Sequence, residues 1–250
     1  MTSTSSLPIP ERLKESPAGR HIRHAVTIVS GGLDSITLAY WLHAHTERLT
    51  LLSADYGQRH VKELQFARTA ARDLNANHEI VDLTSVGTLL QGSALTDTAV
   101  AMPDGHYTDT SMSSTVVANR NALLLDIASA VAVAVGADIV AYGAHAGDHT
   151  VYPDCRGEFV DAYRRMVLLA NEGFIADGFD VVAPFLTWSK ADIIALGAQL
   201  AVPFGATWSC YRGGDVHCGT CGTCVERREA FTQARVPDPT VYQTALPEVG

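Results

Sequence analysis

A chain of 250 residues with 47% apolar content can bury one sizeable core and is ordinary for a globular protein. Its formal charge of −9, from 27 acidic against 18 basic residues, argues against a surface built to grip a folded RNA, and no run reaches the length of a membrane span. The five cysteines are clustered and odd in number, and residues 1–20 hold no apolar leader, so the cytosol and a metal site fit better than a disulfide framework.

Residues 1–22 are rich in Ser, Pro and charge and read as a flexible tail. Residues 25–29 form a short β-branched run suited to a buried strand, and Leu38, Trp41 and Leu42 then recur at helical spacing. Between them lies Ser30-Gly31-Gly32-Leu33-Asp34-Ser35, at a strand-to-helix turn where backbone N–H groups and the positive helix end bind an anion. Gly31 and Gly32 let the backbone approach phosphate oxygens, while Ser30 and Ser35 offer hydroxyls. The loop lacks the Gly-Lys-Ser/Thr ending of a P-loop and the further glycines of a dinucleotide fingerprint.

Residues 49–55 read as a second strand, residues 56–60 as a turn, and Leu64, Ala67, Ala71 and Leu74 as the buried stripe of a helix. A third strand follows at 78–83. Such alternation predicts βαβ units and a parallel α/β sheet with helices on both faces. Residues 84–116 lose periodicity over a length that suits a lid or binding loop. Order resumes with a helix over 121–135, with Arg120 at its start able to bind phosphate or carboxylate. A strand at 139–142, a helix over 158–171 and a short strand or extended entry at 181–184 follow. Ser189 and Asp192 then form a capping-box-like pair before a helix carrying Ile193, Ile194 and Leu196, with Lys190 placed to meet phosphate charge.

The segment 143–156 follows a strand and gathers His145, Asp148, His149, Tyr152, Asp154, Cys155 and Arg156, a polar group suited to acid–base work. Cys155 reads as a buried, inert thiol. Near the C-terminus, Cys210 is followed by Cys218, Cys221 and Cys224 in two overlapping C-x-x-C units, with Gly219 and Gly222 allowing tight turns. A redox dithiol needs only one pair, and an iron–sulfur cluster also takes four thiolates. The lone upstream cysteine with a spaced triplet favours a structural zinc ion. His217 is then surplus to the tetrahedron and expected to be solvated.

Taken together, these blocks resemble the 7-cyano-7-deazaguanine synthase (QueC) family of the ATP pyrophosphatase, or PP-loop, superfamily, over about residues 24–235. Residues 30–35 match the pyrophosphate loop. Asp55-Tyr56-Gly57-Gln58-Arg59-His60, Tyr152-Pro153-Asp154-Cys155-Arg156 with Glu158-Phe159, and the four cysteines match narrower family blocks. The family pattern carries a proline in Val-Pro-Gly or Val-Pro-Asn where this chain has Val117-Ala118-Asn119.

The resemblance implies a Rossmann-like, adenine nucleotide α-hydrolase-like domain over 23–205 and a zinc-binding segment over 206–250. It implies ATP-dependent conversion of 7-carboxy-7-deazaguanine and ammonia into the nitrile through adenylated intermediates, releasing AMP and pyrophosphate. The implied ATP site is Val29, Ser30, Gly31, Gly32, Leu33, Asp34, Ser35, Ile36, Thr37, Leu38, Ala39 and Asp55, with Mg²⁺ near Asp34. Asp34, Ser35, Arg120 and Lys190 are the expected catalytic groups. Tyr56, Gln58, Arg59, His60, Asp148, Tyr152, Asp154 and Arg156 are the expected substrate contacts, with Tyr56, Tyr107 or Tyr152 as stacking face. The expected partners are the small-molecule deazaguanine and ammonia, with no nucleic acid and no membrane, in a cytoplasmic homodimer. A tRNA-thiolating enzyme of the same superfamily and a zinc-stabilised nucleotide-binding regulator are the competing readings.

Overall fold

In the computed structural model, which describes residues 21–106 and 112–244, the β-branched runs become one five-stranded parallel sheet. Its strands are β1 (Ile22–Ile28), β2 (Thr46–Asp55), β3 (Asn77–Asp82), β4 (Ile139–Ala141) and β5 (Asp180–Val182), in the order β3-β2-β1-β4-β5. The helices are α1 (Leu33–His43), α2 (Glu63–Asp73), the single turn α3 (Thr84–Gly87), α4 (Arg120–Val135), α5 (Gly157–Ala170), α6 (Lys190–Gln199) and α7 (Gly222–Ala234). The flexible tail expected over 1–22 lies almost wholly outside the described residues, but Ile22 already belongs to β1.

Strand alternation sends neighbouring side chains to opposite faces, and both faces are covered. Ala25, Leu51, Ile139 and Ala141 pack with Leu38 and Trp41 of α1, Ala67 and Ala71 of α2, and Ile193 and Ile194 of α6. Val26, Leu52, Val140 and Val181 pack with Leu125 and Ala128 of α4 and with Val160 and Val167 of α5. The stretch 113–135 is long and apolar enough to cross a membrane by composition alone, contrary to the expectation from sequence. It is broken, however, by Asn119 at φ 54°, and the 16-residue α4 that follows lays Leu125, Ala128, Ser129 and Ala132 into the fold.

Besides the single turn α3, which falls in the stretch without periodicity, one helix is illegible in the sequence. α7 buries Ala230 and Phe231 in the main core, where Phe231 meets Phe204 edge-on at 5.1 Å. Its remaining inward positions include Arg227, only 1% exposed, whose guanidinium donates to Thr207 Oγ1 and the Phe204 carbonyl at 2.8 Å and to Ser209 Oγ at 3.0 Å. A buried arginine satisfied this way reads as a surface residue in sequence and hides the helical stripe.

The chain leaves β1 first towards β2 and β3, then crosses to β4 and β5 on the other side. The strand order therefore reverses between β1 and β4, and a crevice opens beyond their carboxyl ends.

Candidate functional site

At this crevice β1 runs into the Ser30–Ser35 loop, and the loop shapes itself. Ser35 Oγ accepts from Ser30 N at 3.2 Å and donates to the Gly32 carbonyl at 3.1 Å, while Gly32 N donates to Ser30 Oγ at 3.2 Å. Gly31 has φ +100°, and a Cβ there would lie 2.1 Å from the Glu63 carbonyl oxygen, so only glycine fits. Its own carbonyl accepts from Trp208 N at 2.8 Å, which ties the loop to the chain just ahead of Cys210.

The loop forms the floor of a cavity. Its walls are Ser53, Ala54 and Tyr56 after β2, His60 and Glu63 before and at the start of α2, Arg120 and Asn121 of α4, and Tyr142, Asp148, Tyr152, Cys155 and Tyr211. Arg120 is half-buried over the Tyr152 ring, 5.9 Å from its centroid. Asn119, left-handed just before it, stands where the family pattern's proline segment ends, and asparagine tolerates that conformation. Tyr152 is held by Thr115 Oγ1 at 2.8 Å. The cavity thus places flat aromatic faces and a guanidinium opposite a phosphate-type loop.

On the loop side sits a cluster of charges. Lys190 Nζ lies 2.6 Å from Glu226 Oε2 and 3.4 Å from Asp34 Oδ2, and His145 Nε2 lies 3.6 Å from Asp148 Oδ2 and 3.9 Å from Asp34 Oδ2. Burial opposes the charge on Lys190, but Asp34, Glu226 and Asp148 outweigh it and hold the ammonium well above the ordinary lysine range. Glu226 was not expected from sequence. It reaches this cluster only because α7, which begins at the cysteines, packs against α6.

On the opposite wall, His60 Nε2 is 3.5 Å from Glu63 Oε1, which also accepts from Gln58 Nε2 at 3.1 Å, and His60 Nδ1 is buried without a partner. Burial, reinforced by Arg120, drives His60 down to about 3, and burial lifts Glu63 to about 8 against the pull of Gln58 and Arg120. The two groups therefore act on stability in opposite senses. Glu63, raised in the folded state, favours folding at low pH and loses that contribution as pH rises from about 4.5 to about 8, because the unfolded chain releases the proton first. His60, depressed from 6.5 to about 3, costs stability as pH falls through that window. Relative to Glu63→Gln, the wild type is expected to weaken progressively between about pH 5 and 8 in urea denaturation, since His60 is common to both proteins. Identical pH slopes would show that Glu63 keeps its ordinary titration.

The cysteines come together as their spacing predicts. The four Sγ atoms of Cys210, Cys218, Cys221 and Cys224 lie within 4.8 Å of one another, so the group can hold a metal ion. Backbone N–H groups of Cys218, Thr220 and Cys221 point at Cys210 Sγ and Cys218 Sγ at 3.3–3.4 Å, as around thiolates. His217 is not solvated. It is 6% exposed, accepts from Ser209 N at 3.0 Å and lies 4.3 Å from the Trp208 ring, and burial lowers it to about 4. It braces the knuckle from inside.

Several expected site residues serve other ends. Leu33, Ile36, Leu38 and Ala39 are buried in the core, and Thr37 is fully buried, because α1 turns those faces onto the sheet. Val29, Ser30, Gly32, Asp34 and Ser35 line the cavity, while Gly31 supplies the turn. Asp55 caps Gly57 N at 3.0 Å. Gln58 is buried, bracing Tyr56 N at 2.9 Å and Glu63. Arg59 turns away and donates to the carbonyls of Asp97 and Val100, each at 3.0 Å. Asp154 accepts from Asn121 N at 3.2 Å, and Arg156 donates to the His149 carbonyl at 2.8 Å. These last four shape the walls rather than face the cavity.

The stretch expected as a lid is anchored instead: Leu95 and Met102 pack with the cysteines, and Asp104 bridges to Cys221. None of its described residues lines the cavity, and Tyr107 lies outside the described residues. Cys155, buried beside Asn121 at 3.3 Å and raised by burial, is an inert thiol.

A family model described as queuosine biosynthesis protein QueC matches residues 24–235. The chain is 55% identical to a 7-cyano-7-deazaguanine synthase from Allorhizobium ampelinum over 218 residues, 87% of this chain and 92% of that one. It is 56% identical to the protein of the same name from Rhizobium meliloti over 217 residues, 87% of this chain and 91% of that one. Among solved structures, NMN synthetase from Francisella tularensis aligns with a TM-score of 0.49 at 14% identity, covering 95% of each chain.

Proposed function

Because the chain belongs to the QueC family of queuosine biosynthesis proteins, we propose that it converts 7-carboxy-7-deazaguanine and ammonia into 7-cyano-7-deazaguanine at the expense of ATP. The observation that carries this reading is one cavity in which the Ser30–Ser35 loop faces Tyr56, Tyr152 and Arg120 across the β1/β4 crevice.

In this reading the loop's N–H groups and Lys190 stabilise charge on the departing pyrophosphate, and Arg120 draws the substrate carboxylate towards the α-phosphate. Tyr56 or Tyr152 offers the flat base a stacking face. Asp34 and Asp148 would hold Mg²⁺, which when bound screens charge on the phosphates. Once the carboxylate is adenylated, ammonia attacks its acyl carbon and displaces AMP, leaving an amide. A second adenylation of the amide oxygen and loss of AMP leave the nitrile.

The cysteine site would hold zinc. Zinc–thiolate bonds of about 2.3 Å place sulfurs about 3.8 Å apart on one ion, and Cys218 Sγ and Cys224 Sγ stand 3.9 Å apart. Thiolates on the separate irons of a cluster need wider spacing. A cytosolic homodimer fits the family resemblance.

ATP turnover is expected to require the free carboxylate base, with nitrile appearing by mass spectrometry only when ammonium is present, and tRNA should not stimulate it. Pyrophosphate release driven by tRNA without free base would overturn the reading in favour of thiolation. Read from sequence, that alternative expects a reactive cysteine outside the metal site, and among the described residues the one outside the cluster is the buried Cys155.

A further inference from the structure

The geometry points to an ammonium subsite at the cavity wall formed by His60 and Glu63, with His60 Nδ1 accepting an N–H hydrogen bond and the Glu63 carboxylate taking the proton. This assignment rests on the proposed amide-forming reaction.

A nitrogen nucleophile reaches the site at neutral pH as ammonium, and it must lose a proton before it can attack. It therefore needs an acceptor-only pocket whose carboxylate is not already spent on a cation. Asp34 and Asp148 do not qualify, because Lys190 and His145 already face them at 3.4 Å and 3.6 Å. Glu63 has Gln58 and His60 as its side-chain partners and no lysine or arginine within ion-pair distance among the described residues. His60 is 4% exposed, lines the cavity, and keeps Nδ1 buried without a partner, a lone pair with nothing to accept. When its Nε2–H is turned to Glu63, Nδ1 is an acceptor by tautomer. Burial keeps the ring neutral and raises the carboxyl to about 8, so its ionised fraction, which grows as pH rises towards that value, is the form that receives a proton from ammonium.

The step balances. Ammonium gives one proton to Glu63. The nitrogen then bonds to the acyl carbon as the C–O bond to AMP breaks, and AMP departs with that electron pair. The second proton leaves with the AMP phosphate, a monoester whose second pKa is about 6, and passes on to solvent at neutral pH. Glu63 returns its proton to solvent.

The test compares the intact wild type with His60→Asn and Glu63→Gln in two reactions. Carboxylate-dependent exchange of pyrophosphate into ATP, run without ammonium, is expected to fall far less than product formation in both variants, which also reports that they fold. Product formation with ammonium chloride should fall about 10²-fold, with a raised KM for ammonium in His60→Asn and a lowered kcat in Glu63→Gln. Hydroxylamine, a neutral nucleophile at neutral pH, should restore acyl transfer in Glu63→Gln. Parallel loss of exchange and product formation, unchanged ammonium kinetics, or failure of hydroxylamine to rescue would each overturn the subsite. Absence of exchange in the wild type would overturn the amide-forming reading itself.

Discussion

Asp34→Ala is expected to lower pyrophosphate release by about 10³-fold, and Ser35→Ala by about 10²-fold, with little change in thermal midpoint. Asp34 contributes charge and no packing. Its Oδ2 faces Lys190 and His145, and its Oδ1 is buried without a partner. Removing the carboxylate leaves Lys190 paired with Glu226 at 2.6 Å, so the fold keeps its buried ammonium neutralised while the site loses the carboxylate proposed to act at the phosphates. Ser35 acts through shape, joining Ser30 N to the Gly32 carbonyl, and the alanine variant frees the loop from that constraint. Steady-state pyrophosphate release beside thermal melts separates the two effects. Unchanged turnover in both variants would remove the basis for placing the nucleotide at this loop.

Cys210→Ser should lose the metal and several kcal/mol of stability together, because binding energy at a structural four-thiolate site is folding energy. About one zinc per chain is expected in the wild type by mass spectrometry, and a brown protein carrying iron and sulfide would contradict that assignment. The loss should reach the active site by two routes. Trp208, two residues before Cys210, holds the Gly31 carbonyl at 2.8 Å. α7, which starts beside Cys221 and carries Cys224, brings Glu226 onto Lys190. ATP affinity should therefore fall in a metal-stripped but still folded fraction. A variant without metal that retains full stability and ATP affinity would show the knuckle to be independent of the loop.

The sequence carried the local determinants of this protein. Short β-branched runs beside helical stripes made β1 to β5, α1, α2 and α4 to α6 readable, since backbone periodicity is written in neighbouring residues. The Ser30–Ser35 loop and the four cysteines were readable for the same reason: their chemistry depends on spacing within a few residues. The Ser189–Asp192 box is seen as read, with Asp192 accepting from Ser189 N at 2.9 Å.

What sequence could not reach was anything decided by a partner far along the chain. Arg59 and His60 are neighbours in one motif, yet Arg59 points to the carbonyls of Asp97 and Val100 while His60 lines the cavity, because the turn into α2 separates their faces. α7 was hidden because its buried Arg227 is satisfied by Thr207, Ser209 and Phe204, groups about twenty residues away. His217 looked like a surface residue until Trp208 and Ser209 closed over it. Burial is a property of the assembled fold. It sets which polar residue is a wall, which a brace, and which is left with a buried lone pair and no partner, so those assignments belong to tertiary structure alone.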